Sequence, residues 1–229
     1  QKYTIEYESV APCSSPPTTE ATNIIATPTT TSTALSWTNG NGTNRAVFVK
    51  QTSSGTPSPI DGTTYTANTT FGSGTQIGSS GWYCVYNGTG NSVTISGLTP
   101  STTYRAMVVE YNCSPGSEKY LTNTASDNPN NFTTLTPPAN DECSNATDVI
   151  VGSTTARTTT SATLNTLTSE PYAYTSDVWY KVTPTCTGTL TVSTSTSGQD
   201  LDIYVFSTSC PSSATSYVIG GNGAATSKT

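Results

Sequence analysis

Histidine is absent from the 229 residues, and charged side chains make up only 10% of them. Without histidine, Ser/His and Cys/His nucleophilic systems are excluded. A zinc centre is disfavoured for the same reason, and because the six cysteines, at 13, 84, 113, 143, 186 and 210, form no CxxC pair. Eight Lys and Arg stand against fourteen Asp and Glu, for a net charge of −6. The clustered cations that nucleic acid or an anionic membrane would require are therefore missing. No apolar run approaches the ~18 residues that span a bilayer. No signal peptide is visible, so a secreted protein would be seen here in its mature part. No stretch shows a helical apolar stripe, and no glycine-rich loop precedes a helix, so nucleotide binding has no support.

What the chain has in quantity is threonine, roughly a fifth of all residues against about a twentieth in an average protein. Threonine is β-branched and suits solvent-washed sheets. Aromatic and β-branched residues are too plentiful for disorder. An even cysteine count in a low-charge, Thr-rich β protein points to disulfides and an oxidising, extracellular compartment. The best pairings by position are Cys84 with Cys113 and Cys186 with Cys210, which leaves Cys13 and Cys143 beside module boundaries. Six cysteines allow about fifteen connectivities, so the pairing stays open.

The segment Gly97-Leu98-Thr99-Pro100-Ser101-Thr102-Thr103-Tyr104 reads as a turn entering a strand. From there Tyr104, Ala106 and Val108 alternate with Arg105, Met107 and Val109. Residues 21–26, 33–38 and 45–50 read as earlier strands, and Asn39-Gly40-Asn41-Gly42 as a turn. Residues 51 to 91 form a long excursion carrying Tyr65, Phe71, Trp82, Tyr83 and Tyr86. The pieces 116–121 and 131–135 close the module, and Thr136-Pro137-Pro138-Ala139 is a stiff linker. Tyr3 to Val10 alternates as a further strand with no partner before it.

Leu98-Thr99-Pro100 followed by Tyr104 resembles the Leu-x-Pro-x-x-x-Tyr signature of fibronectin type III domains, and Trp37 resembles their core tryptophan. The resemblance implies a sandwich in which a corner tyrosine bonds back to the turn. Over residues 21 to 135 the chain is similar to such modules in large secreted multidomain proteins of Bacteroidetes. Beyond the linker, Asn140-Asp141-Glu142, then Asp177-Val178-Trp179-Tyr180, then Asp200-Leu201-Asp202-Ile203-Tyr204 resemble the pre-peptidase C-terminal type of β-sandwich. The expected architecture is all-β: two tandem β-sandwiches, fibronectin type III-like over 14–136 and jelly-roll-like over 137–229. The second lacks its closing strand, and residues 1–13 supply a strand to a preceding or neighbouring domain. The chain would then be a window on a longer array, or a subunit donating residues 2 to 10 head to tail.

Candidate sites follow. The second resemblance implies calcium held by Asn140, Asp141, Glu142 and Asp177, an oxygen-rich set suited to a hard cation. The alternative is that Asp141 caps a turn and Asp177 ends a strand. Trp82, Tyr83 and Tyr86 would form a sugar-stacking platform, or else cover the first module's core. Tyr172 and Tyr174 are a weaker version. Close acidic pairs occur at Glu6/Glu8, Asp141/Glu142 and Asp200/Asp202, without a pattern that points to glycoside hydrolysis. Asn41, Asn68, Asn87, Asn131 and Asn145 sit in N-x-S/T triplets. The expected role is a non-catalytic extracellular structural or adhesive module of a repetitive bacterial surface protein or filament. Its partners would be other copies of itself, adjacent modules or extracellular glycans. It requires no cofactor beyond possible use of calcium. The alternative is an accessory carbohydrate- or protein-binding module of a secreted hydrolase.

Overall fold

The computed structural model describes residues 13–153, 158–164, 176–185, 187, 192, 203–206, 210–211 and, as backbone, 217–219. The chain divides into two compact units, Gln1–Thr136 and Pro137–Thr229. The expected strand at residues 3–10, the aromatics Tyr172 and Tyr174, Cys186 and the Asp200/Asp202 pair lie outside the described residues. No helix among the described residues is long and apolar enough to cross a membrane.

The first unit is a β-sandwich. One sheet is three-stranded, in the order β1 (Thr22–Pro28), β2 (Thr33–Thr38) and β5 (Ser92–Ile95). The other is five-stranded: β4 (Tyr83–Gly88), β3 (Asn44–Lys50), β6 (Thr103–Asn112) and β7 (Lys119–Leu121) in order, with β8 (Asn130–Thr133) also on β6. Every pairing within these sheets is antiparallel. Strand β4 corrects the sequence reading: residues 83–88 belong to a central sheet, not to an irregular excursion.

The alternation along β6 explains the layering. Tyr104, Ala106 and Val108 face the interior between the sheets, with Trp37, Leu35, Val47, Val49 and Phe132. Met107, Val109 and Tyr111 face the other way, into a second core with Phe48, Cys84, Tyr65, Ile77 and Trp82. A sheet normally leaves that second face to water. Here residues 51–82 fold over it, and β6 is buried along nearly its whole length. A register shift opposite Val47 and Phe48 lets Val85 and Tyr86 both join the inner core while Cys84 joins the outer one.

The tyrosine corner is in place. The Thr99 backbone N–H donates to the Tyr104 hydroxyl at 2.9 Å, and the Tyr104 ring stacks on Phe132 at 5.7 Å. Gly97, at φ +73°, makes the turn that brings Leu98 into the core.

In the second unit the described strands are short. Strand β9 (Thr147–Asp148) pairs parallel with β10 (Tyr180–Lys181), and β11 (Val205–Phe206) pairs antiparallel with β12 (Tyr217–Ile219). Trp179 packs against Phe206 with ring centroids 5.8 Å apart.

Candidate functional site

The cysteines pair otherwise than their positions suggest. Cys13 is bonded to Cys113 and Cys143 to Cys210, while Cys84 is a free, buried thiol. Cys84 and Cys113 do not pair because Cys84 points from β4 into the outer core, whereas Cys113 lies past the end of β6. Burial pushes the Cys84 thiol up to about 12, only partly offset by the Tyr86 backbone, so it is not a thiolate nucleophile. Cys210 is taken by Cys143, so the Cys186–Cys210 pairing also falls.

The proposed aromatic platform is not assembled. Trp82 is 4% exposed and sits in the outer core. Tyr86 packs against the inner core on the opposite face of the sheet, edge-on to Trp37 at 5.5 Å, and its hydroxyl accepts from the Gly90 N–H. Half-buried Tyr83 lies edge-on to Phe71, also at 5.5 Å. Alternation parts Trp82 from Tyr83, and the register shift between Cys84 and Tyr86 then turns Tyr86 to the face opposite Trp82, so the three rings do not share a surface.

Of the acidic set, Asn140 and Asp141 are buried and Glu142 is exposed. Both Asp141 oxygens are engaged by Thr163: Oδ1 accepts its backbone N–H and Oδ2 its hydroxyl, each at 2.6 Å. The Asp177 N–H donates to the Thr163 carbonyl at 3.2 Å. Asn140 exchanges bonds with Trp179, its Nδ2 donating to the Trp179 carbonyl at 2.9 Å and its own carbonyl accepting the Trp179 N–H at 2.8 Å. Asn140, Asp141 and Asp177 are thus gathered through Thr163 and Trp179, and Glu142 stands apart. Among the described residues no group of three or more Asp, Glu or Cys could hold a metal ion.

The strongest polar clusters escaped the sequence reading, because each joins residues distant in the chain. Glu110 is fully buried on β6 opposite Arg45 on β3. Its carboxylate accepts Arg45 Nε at 3.1 Å, the Gly40 N–H at 2.9 Å and the Gly42 N–H at 3.1 Å. The Arg45 guanidinium also donates to the carbonyls of Gly42, Thr89 and Gly90. One buried ion pair therefore ties two loops to two strands, and its polar atoms are satisfied.

Glu20 lies beside this pair with both carboxylate oxygens buried and neither making a hydrogen bond of normal geometry, the Asn123 backbone being a marginal partner. Burial pushes it up to about 7; the Asn123 backbone pulls the other way, and the Glu110 charge adds to the rise. Residues leading to Glu20 form a strap. The Thr18 and Thr19 N–H groups donate to Asn41 Oδ1, and Asn112 Nδ2 donates to the Ser15 carbonyl.

Asn128 fills a gap between β7 and β8 on β6. Its side chain accepts the Val108 N–H at 3.0 Å and donates to the carbonyls of Val108 and Ala21, both at 2.8 Å. The amide stands in for a missing strand residue.

The excursion also seals strand edges. The Cys84 N–H donates to the Thr75 carbonyl, the Asn68 N–H to Cys84 and the Ile77 N–H to Trp82, which covers β4. Phe71 and Thr69 bond with Ser96 beside β5. On β7, the Tyr120 N–H donates to Asp61 Oδ1 and the Glu118 carbonyl accepts the Gly62 N–H. That Tyr120 bond, followed by the Lys119 ammonium against the cost of burial, holds Asp61 below its ordinary range. Between β1 and β8 lies a shallow groove of about 720 Å³, lined by Ile24, Ile25, Ala26, Pro28, Asn130 and Phe132 among others. Bonds from Asn23 and Ile24 to Ser126 and Asp127 close one end, and a bond from Leu135 to Thr29 closes the other. Pro28 has no N–H to offer, so the groove is short for an added strand.

No protein-family model matches the chain. No curated protein is significantly similar to it in sequence. Among solved structures it is similar to a computationally redesigned β-sandwich protein, at 20% identity and TM-score 0.32 over 51% of this chain and 94% of that one. It is also similar to the fibronectin type III domain of human fibronectin type III domain containing protein 3, at 18% identity and TM-score 0.33 over 56% and 94%. A further similarity is to the FN5 domain of Drosophila Lar, at 13% identity and TM-score 0.29 over 50% and 94%.

Proposed function

We propose that the chain is a non-catalytic structural module pair of an extracellular or cell-surface protein, built to carry and space rather than to transform. The observation that supports this most is how the first unit uses its polar and aromatic residues. Arg45, Glu110, Asn128 and Glu118 are spent on tying loops and strands together, and Trp82 on covering a sheet face. Two disulfides in a chain of low charge favour an oxidising setting. The pre-peptidase C-terminal likeness of the second unit, a bacterial repetitive surface protein as the parent and assembly through residues 2 to 10 belong to the same proposal. So does a calcium ion at Asn140, Asp141 and Asp177, which would have to displace Thr163 from Asp141.

The test is sedimentation of the full chain with and without residues 2 to 10, with binding to a glycan array run in parallel. Self-association lost on the deletion, with no glycan binding, is the expected result. A chain that is monomeric in both forms removes the strand-donating part. Glycan binding abolished by Tyr83→Ala, at a half-buried ring outside the outer core, would favour an accessory carbohydrate-binding module of a secreted hydrolase instead. A melting rise with calcium and none with magnesium would establish the cation; no change on chelation removes it.

A further inference from the structure

The covalent topology carries an inference that deepens the proposed structural role and rests on it for its biological use. Cys13 is bridged to Cys113, a separation of 100 residues, and Cys143 to Cys210, a separation of 67. We propose that these bridges turn the chain into two closed loops joined by one tether, so that tension along it is carried by residues 113–143 alone. A pull arriving at Cys13 crosses the bridge to Cys113, travels the tether to Cys143, and crosses again to Cys210. The backbone inside the loops lies off this covalent path and is not extended.

The reach of the chain sets the scale. At ~3.3–3.6 Å per residue, the tether of about 30 residues extends to about 100 Å, against about 650–700 Å for the whole span from Cys13 to Cys210. The device limits extension roughly sixfold.

The part of the tether that lies in the first unit is also well placed to resist. It contains β7 and β8, both paired antiparallel with β6. Cys113 follows the C-terminal end of β6, and β8 leads through Thr133 towards Thr136. In an antiparallel pair these two ends lie at opposite ends of the ladder. Tension therefore slides β8 along β6 and loads their hydrogen bonds together rather than one at a time. Side chains cross-link the same segment: Asn128 to Val108 and Ala21, and Asn130 Nδ2 to the Ile24 carbonyl at 2.8 Å. Should β7 and β8 be drawn out, β1 to β6 stay within the closed loop of Cys13 and Cys113, and the tether can dock again. Reducing the bridges with a dithiol or phosphine, which leaves two thiols for each disulfide and oxidises the reductant, removes the limit.

The experiment is single-molecule stretching of the full chain from its two ends, before and after reduction with a phosphine. The expected gain in length between Cys13 and Cys210 is at most about 100 Å when oxidised and about sixfold more when reduced. The double variant Cys13→Ser/Cys113→Ser frees only the first loop, so its oxidised gain rises by about 350 Å. An oxidised wild-type chain that releases its full length, or a reduced one that releases no more than the oxidised, overturns the proposal. The structural role at a cell surface fails separately. If the variant chain holds its parent's surface attachment under shear as well as the wild type does, the limiter exists but is not used there.

Discussion

The two margins of the first unit's sandwich are finished in opposite ways. Along the margin of β4 and β5, residues 66–77 supply backbone partners to both strands and continue over the outer face. Along the margin of β1 and β8, a bulge near Asn23 and the proline at Pro28 blunt the edge, and Ile25 stays 62% exposed. The first margin is sealed by added chain, the second by making the edge a poor template. Sealing costs about thirty residues of ordered chain, whose entropy must be recovered by burial. Tyr65, Ile77 and Trp82 provide that burial.

Substitutions can break or sharpen this contrast. The largest effects are expected where the two margins share a support. Glu110→Ala leaves Arg45 and the Gly40 and Gly42 amides without their acceptor, and should cost about 3–5 kcal/mol in denaturant unfolding. Trp82→Ala empties the sealed side and should cost a similar ~3–5 kcal/mol, with the outer layer becoming protease-sensitive first. Limited proteolysis that cuts the β1 side before residues 51–82 would contradict the account of the seal. Asn128→Ala orphans the Val108 N–H and two carbonyls, for about 2–4 kcal/mol, measured in the same way.

A smaller effect should come from Glu20. Its folded pKa is raised from 4.5 to about 7. Its contribution is therefore fully present below the unfolded value and is lost as pH rises through 7. The first unit should melt higher at pH 5 than at pH 8 by about 1 kcal/mol, once partial exposure is discounted. Glu20→Gln should remove that dependence; a variant with the wild-type slope would place the titration elsewhere. Smallest of all, Ile25→Thr on the blunted margin should stay within about 0.5 kcal/mol of the wild type. A large loss there would mean that the groove is packed against something.

The sequence made the inner core legible because its signals are local. Leu98, Pro100 and Tyr104 mark a turn and a strand within seven residues, and the alternation of β6 names both faces at once. The second face was readable as apolar in Met107 and Val109, but nothing nearby says what covers it. Its cover comes from Tyr65 and Trp82, and Trp82 reads from sequence either as core cover or as an exposed ring. The ion pair of Arg45 with Glu110 spans 65 positions, and Asn128 reaches Ala21 across 107. Neither carries a local pattern. The cysteines failed for a related reason: positions within one module suggested a pair, while strand facing decided against it. In the second unit, Asp141 reads from sequence as a calcium ligand or a turn cap, and neither reading points to Thr163, 22 positions away, whose N–H and hydroxyl its carboxylate accepts.

Cys84 gives the first unit a problem of timing. Three thiols, at 13, 84 and 113, emerge in one unit, and only the folded outer layer distinguishes them. Before Tyr65 and Trp82 close over β4, Cys84 is as available to an oxidant as its neighbours, and a bridge from it to Cys113 would trap β4 facing the wrong way. Afterwards its thiol is buried and fully protonated at neutral pH, out of reach of exchange. An outer layer that formed before the strap was oxidised would therefore protect Cys84, and the residues that seal an edge in the finished unit would also guard its disulfide on the way there.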